Sequence, residues 1–183
     1  MLSLMFPLVG CFLCSSPGNS TDPMIANLIH DTEIKQIRYK NWMWNCFVNS
    51  DVLVEVGDTL FVDQKLWEAT IREKREVWLA GLIAHESTHA ARQINMGLVG
   101  WIILYGTNTK FRLDEEKIAS IEGWRVYIKR EEAIFDYDMR GWAREMSSST
   151  YGNIITYEEA LLFVRETIVK LLKNHDATIL TNN

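Results

Sequence analysis

"LAGLIAHESTHAARQ" (residues 79–93) is the stretch that decides the fold of this chain. His85 and His89 stand four residues apart and flank Glu86. Residues four apart lie on one face of an α-helix, so both imidazoles can reach one ion at about 2.0–2.1 Å. Glu86 projects roughly 100° away from His85 and can miss the ion while still reaching its water. The apolar run before His85 predicts that this helix is buried and holds the site rigidly.

The H-E-x-x-H spacing is typical of metal-assisted hydrolysis. Zinc lowers the pKa of a bound water toward 7, and a nearby carboxylate can take the proton as that water attacks. We therefore predict that His85 and His89 bind Zn²⁺ and that Glu86 is the general base. The plainer alternative is a pair of histidines with no metal, packed in the core or lying on the surface.

A third protein ligand must come from elsewhere in the chain. Arg92 stands where the longer motif H-E-x-x-H-x-x-G-x-x-H requires glycine, which excludes that arrangement. The remaining choice is an acidic residue on or entering the next strong helical segment, "LDEEKIASIEGWRVYIKR". Four carboxylates are available there: Asp114, Glu115, Glu116 and Glu122. Of these, Glu116 shares a helix face with three small residues that would allow close packing, Ala119, Ser120 and Gly123.

The motif together with "EKIAS" (residues 116–120) resembles the gluzincins, zinc peptidases that add a Glu from a following helix to an HExxH helix. The resemblance runs from Trp67 to Tyr127. It implies Glu116 as the third zinc ligand, with Glu115 as the nearest rival. It also implies that Ser120 occupies a position that orients a ligand histidine.

The same resemblance implies a place for substrate. Gluzincins set an edge strand above the active-site helix and bind extended substrate against it. "DTLFVDQ" (residues 58–64) is the expected equivalent. Small phage-encoded and bacterial HExxH proteins also look similar around "HESTHAARQ", which points to a virion or the bacterial cell envelope as the location.

A hydrogen-bond donor for the oxyanion is expected close to the two site helices. Tyr105, Arg112 and Tyr127 are the candidates, since each could donate to the charge that develops on the substrate. We favour Tyr105 as a catalytic residue because it lies between the motif and Glu116.

Composition and patterning predict an α+β, mainly helical, zincin-like domain. Its active-site helix would pack under a small sheet, with several helices following toward the C-terminus. Strands are expected within 39–63, broken by turns at Asn-Ser-Asp and Gly-Asp. Helices are expected at about 24–30, 65–95 with or without a break, 98–106, 113–129 with or without continuation through 146, and 157–174.

The chain of 183 residues divides into an apolar N-terminal arm with a polar linker (1–23) and a single domain (24–183). The arm is too short to span a bilayer. It resembles a lipoprotein cleavage box at Cys11 but lacks the charged residues such a signal needs, so we do not predict anchoring. The arm could instead join the protein to an assembly.

Two functions remain after these considerations. The first is a zinc peptidase whose substrate is a peptide, a protein or peptidoglycan. The second is a structural component of an assembly, such as a phage tail or neck, that retains a zincin fold. The net charge of −5 and the lack of a basic stripe argue against nucleic acid as a partner.

Overall fold

A computed structural model describes residues 23–40, 54–73, 75–130 and 133–181. Within these ranges the chain is α+β and mainly helical, as predicted, with seven α-helices and a three-stranded mixed sheet. The predicted N-terminal arm and its Cys11, and the Asn-Ser-Asp turn, lie outside the described residues. No helix in the described ranges combines the length and the apolar character needed to cross a membrane.

The first half of the domain is the sheet with the helices that cover it. Helix α1 (Pro23–Ile29) precedes β1 (Gln36–Tyr39), β2 (Val54–Val56) and β3 (Thr59–Val62). The predicted Gly-Asp turn joins β2 to β3, and Gly57 adopts a φ of 65° that favours glycine. The sequence did not predict β1, because the strand pattern was placed only from residue 39 onward.

The order of the strands corrects one prediction. β3 pairs in parallel with β1 on one side and antiparallel with β2 on the other. The segment "DTLFVDQ" is therefore the central strand of the described sheet, and the expectation that it forms a substrate-binding edge was wrong. Three of its four strand residues, Leu60, Phe61 and Val62, are buried, as befits a strand covered on both faces.

The second half of the domain is helical. The predicted segment 65–95 is broken into α2 (Gln64–Arg72) and the motif helix α3 (Glu76–Met96). Helix α4 (Leu98–Thr107) follows Gly97, whose φ is 82°. Helix α5 (Thr109–Lys129) ends before α6 (Asp136–Met146), so the proposed continuation through 146 does not occur. Helix α7 (Tyr157–Thr181) closes the described chain.

Two hydrophobic clusters hold these elements, and the site lies where α3 meets α5. The first cluster joins the sheet, α1 and α2 to α3 through Leu79 and Ile83. The second joins α5 to α6 and α7 through Trp124. Each helix of the crossing pair is thus anchored in a different cluster, which fixes the position of one relative to the other.

Candidate metal centre

Glycines allow α3 and α5 to approach closely just beside the motif. A Cβ on Gly123 would lie 2.9 Å from the backbone oxygen of Gly81 and 3.7 Å from Cβ of His85. A Cβ on Gly81 would lie 2.5 Å from the ring of Tyr127. With Ala119 fully buried on the same face, this is the small-residue contact that the sequence predicted. Such close packing brings a side chain of α5 within reach of the α3 histidines.

The side chain brought there is Glu116. His85 Nε2 lies 3.4 Å from Glu116 Oε2, and His89 Nε2 lies 3.4 Å from Glu116 Oε1. These three residues form a group whose ligand atoms lie within 4.8 Å of one another and could hold a metal ion. The predicted ligand set is therefore assembled in one place.

The distances between the side-chain atoms of this group suit three ligands of one shared ion better than they suit hydrogen-bond partners. A good N–H···O bond measures about 2.7–3.2 Å, so 3.4 Å is long. Ligands at about 2.0–2.1 Å from a tetrahedral zinc are separated by roughly 3.3 Å. Two nitrogens and one carboxylate oxygen are also a donor set that zinc accepts, with a fourth position left for water or substrate. The residues present fit a zinc ion.

The other carboxylates considered as third ligand are occupied elsewhere. Asp114 is paired with Lys110 on the surface, at 2.5 Å. Glu122 is paired with Arg125 at 2.7 Å. Glu115 is fully buried but forms an ion pair with Arg92. Of the predicted set, Glu116 is the carboxylate whose oxygen lies with the two histidine nitrogens in one possible ligand group.

The electrostatics of the group favour a cation between the three side chains. Burial alone would raise the pKa of Glu116, but the two facing histidines hold it well below its usual range. Burial alone would lower the pKa of His85, yet the carboxylates of Glu116 and Glu86 raise it. Among the described residues, no lysine or arginine forms an ion pair with Glu116. The positive charge that this pocket stabilises is therefore supplied either by a proton on imidazole or by an ion.

Glu86 lies beside the group, as its position in the motif predicts. Its side chain is buried, and burial raises its pKa, with His85 and His89 acting in the opposite direction. No described residue forms a hydrogen bond with this carboxylate. An unpaired carboxylate with a raised pKa next to two candidate ligands is chemically suited to accept and return a proton.

Tyr105 reaches the site from α4. Its hydroxyl donates a hydrogen bond to Glu116 Oε1. Burial and the nearby carboxylate of Glu116 raise the pKa of Tyr105, so the phenol keeps its proton. Tyr105 is thus next to the candidate ligands and able to donate, and its catalytic role stays a prediction.

The two other predicted oxyanion donors are placed differently. The guanidinium carbon of Arg112 lies 6.0 Å from the centre of the Tyr105 ring, and its buried Nε has no hydrogen-bond partner among the residues that the structure describes. Tyr127 packs over Gly81, which lies one turn before His85 on α3, and its ring also contacts Trp142. Arg112 therefore borders the site, whereas the ring of Tyr127 belongs to the helix crossing.

The position attributed to Ser120 is not used as expected. Ser120 forms no hydrogen bond with either histidine, and the buried Nδ1 of His89 has no hydrogen-bond partner within the described part of the chain. The orientation of His89 therefore does not come from a hydrogen bond on its second nitrogen. The resemblance to the gluzincins suggested Ser120 but could not show which way its hydroxyl points.

Two residues close to the site were missed by sequence reasoning. The surrounding protein raises the pKa of Glu145, on α6; His85 acts in the opposite direction and the like charges of Glu116 and Glu86 raise it, although the residue as a whole is exposed. Burial, and then Glu116, raise the pKa of Tyr151 in the short 3-10 helix Ser149–Tyr151. Neither belongs to a recognisable motif, and only the packing of α6 against the rest brings them near.

A second buried polar contact fixes the motif helix to the sheet. Gln93 Nε2 donates to Glu55 Oε2 of β2 at 2.6 Å, and the backbone N–H of Gly57 donates to Gln93 Oε1 at 2.9 Å. Burial, with the charges of Glu86 and Asp58, raises the pKa of Glu55 to about 9. Glu55 is therefore neutral near pH 7, which makes its burial without a cation tolerable. The Gln that follows the motif thus has a structural partner in the sheet.

Comparison with known proteins gives no relative: no family model, no curated protein and no solved structure matches this chain.

Proposed function

We propose that this protein is a zinc-dependent hydrolase, and more specifically a metallopeptidase of gluzincin type. The observation that supports it is the meeting of His85, His89 and Glu116 in one buried group with the unpaired carboxylate of Glu86 beside it. A structural zinc site would need four protein ligands. Three ligands with a neighbouring base are the arrangement of a catalytic site.

In this proposal each side chain has a separate task. His85, His89 and Glu116 would hold the ion, which supplies Lewis acidity and lowers the pKa of water. Glu86 takes a proton from the attacking water and later gives it to the leaving amine. The phenol of Tyr105, whose one O–H donates to Glu116 in the structure, would donate instead to the oxyanion of the substrate carbonyl. The substrate class is a peptide bond in a protein or in peptidoglycan.

The test is hydrolysis of two probes, fluorescein-labelled casein and purified peptidoglycan, by the zinc-loaded protein. Glu86→Gln should lower the rate by about 10²–10⁴-fold while one zinc per chain is retained, because the substitution removes the base and no ligand. Glu122→Gln, on the outer side of α5 and paired only with Arg125, is the matched control and should keep the wild-type rate. A Glu86→Gln variant as active as the wild type would contradict the proposal.

A second function, that of an assembly component, is favoured by one observation. The surface from the end of α3 through α4 exposes several large apolar side chains, of which Val99 (64%), Ile94 (58%) and Ile103 (48%) are the most exposed. Apolar groups of this kind commonly mark protein contacts. Under this reading the sedimentation coefficient of the protein exceeds that of a 21.2 kDa monomer, Val99→Asp lowers it, and Glu86→Gln leaves it unchanged.

A further inference from the structure

Glu115 is the centre of a buried network next to the metal group. Its carboxylate is fully buried and accepts hydrogen bonds from Arg92 Nε at 2.6 Å and from Arg92 Nη2. The indole N–H of Trp101 donates to Glu115 Oε2 at 2.9 Å. Arg92 belongs to α3, Trp101 to α4 and Glu115 to α5, so this network joins the three helices that supply the site.

Trp101 in turn contacts one member of the metal group, His89, and Tyr105, which donates to another member. Its ring stacks on that of Tyr105 with centroids 4.6 Å apart and an interplanar angle of 16°. It meets the ring of His89 edge to face at 5.6 Å. Tyr105 donates to Glu116, and His89 faces Glu116 directly. The position of the Trp101 indole thus affects the position of two of the three candidate ligands, His89 directly and Glu116 through Tyr105.

The orientation of the His89 ring depends on packing against neighbours such as Trp101, because its second ring nitrogen lacks the usual hydrogen-bond partner among the described residues. A metal-binding histidine ordinarily donates its second ring N–H to a carboxylate, a carbonyl or water, and this bond sets the orientation of the ring. Nδ1 of His89 is buried, and no described residue is such a partner. Its orientation must then come from packing, and the aromatic rings against it are Trp101, Tyr105 and His85.

We infer that the Arg92–Glu115–Trp101 network is the positioning device of the metal centre: it fixes the indole that orients His89 and, through Tyr105, Glu116. These three are positioning residues, since none of them belongs to the ligand group itself. The inference rests on the proposed function, because it assigns a purpose to the network in a site that binds zinc. It also explains why a fully buried carboxylate, paired with Arg92, lies one residue away from a candidate ligand.

Trp101→Phe tests the inference by removing the indole N–H while keeping an aromatic ring. Zinc affinity, measured by competition with a chromophoric chelator, should fall by about 10-fold or more, the usual effect of losing a residue that orients a ligand. The absorption bands of the Co²⁺-loaded variant should also shift, because they report ligand geometry. In the metal-free protein, the ¹⁵N chemical shifts of the His89 ring should change.

Trp124→Phe is the matched control. Trp124 is as deeply buried as Trp101 (4% and 6% exposed) but packs in the second cluster against Trp142 and Phe163. It should lose stability while its zinc affinity and Co²⁺ spectrum remain those of the wild type. A Trp101→Phe variant that folds, binds zinc within twofold of the wild type and keeps its Co²⁺ spectrum would overturn the inference.

The two proposals fail in different ways. If the wild-type protein binds no zinc, the proposed function fails whatever Trp101→Phe does. If the wild type binds zinc and only the positioning variant behaves as the wild type does, the metal centre stands and the network is merely structural. Equal loss of zinc affinity in Trp101→Phe and Trp124→Phe would also overturn the inference, because general loosening of the fold would then explain the effect.

Discussion

Glu115 and Glu116 are adjacent in the sequence and both deeply buried, yet the regions around them differ in one respect. Glu115 meets the guanidinium of Arg92 and the indole of Trp101, so its charge is matched within the protein. Glu116 meets two imidazoles and a phenol, none of which carries a permanent positive charge. A buried ionised carboxylate needs a partner of opposite charge. The comparison teaches that the charge of Glu115 is matched by a permanent cation of the protein, whereas that of Glu116 is matched only by a proton on imidazole or by a bound ion.

The largest expected effect comes from changing Glu115. Glu115→Gln leaves Arg92 beside a neutral amide, and arginine cannot shed its charge. Breaking a buried ion pair in this way costs about 3–5 kcal/mol, and since the Arg92 side chain keeps 36% of its exposure the lower end applies. Urea denaturation of the metal-free protein should show this loss.

The same measurement on Glu116→Gln sharpens the comparison. The histidines left behind can deprotonate, so the free energy of unfolding should fall by clearly less than in Glu115→Gln. An equal loss in the two variants would mean that Glu116, like Glu115, is chiefly a structural ion-pair partner.

The next effect concerns the crossing that brings the Glu116 region together. Gly123→Ala places a methyl group 2.9 Å from the backbone oxygen of Gly81, and the helices must separate. We expect a loss of about 1–3 kcal/mol in the free energy of unfolding, together with weaker zinc binding. Gly100→Ala in α4, where nothing lies within 4 Å, is the control and should be neutral or stabilising. If both substitutions are harmless, the close crossing is not what positions Glu116.

At acidic pH, the smallest expected change in the free energy of unfolding is that of Glu55→Gln. The folded-state pKa of Glu55 is about 9, against 4.5 for an ordinary glutamate, so the folded protein holds a proton that the unfolded chain releases between these values. Stability is therefore lost as pH rises from 4.5 toward 9. Glu55→Gln should be nearly neutral at pH 4 and progressively stabilising, relative to the wild type, up to pH 9.

Unfolding by urea at pH 4, 6 and 8 checks this dependence on pH, with Glu158→Gln at an exposed position of α7 as the control. A constant difference between wild type and Glu55→Gln across the three pH values would show that Glu55 titrates as an ordinary glutamate.

The sequence predicted that His85, His89 and Glu116 come together, because their meeting depends on helix geometry and on small residues. The four-residue spacing of His85 and His89 and the small face near Glu116 are local patterns, and α3 and α5 form where they were expected. The start of α7 at Tyr157 also lies where it was expected, and Thr156 and Glu159 exchange hydrogen bonds there at 3.1 and 3.3 Å.

What the sequence could not predict depends on contacts between distant segments. The pairing of Arg92 with Glu115 requires the register of α3 against α5, which no local pattern gives. The central position of β3 follows from its parallel pairing with β1, a strand too short to be recognised. The contact of Gln93 with Glu55 could not be predicted either, because the two residues are 38 positions apart in the sequence.

The measurement that tests the central claim most directly is zinc content per chain, by elemental analysis after reconstitution and removal of free metal. It should be made on the wild type, on His85→Ala and Glu116→Gln, and on Glu122→Gln as control. The account predicts about one zinc in the wild type and the control, and little or none in the other two, because each loses a ligand. A wild type without zinc, or a Glu116→Gln variant that keeps its full zinc content, would contradict it.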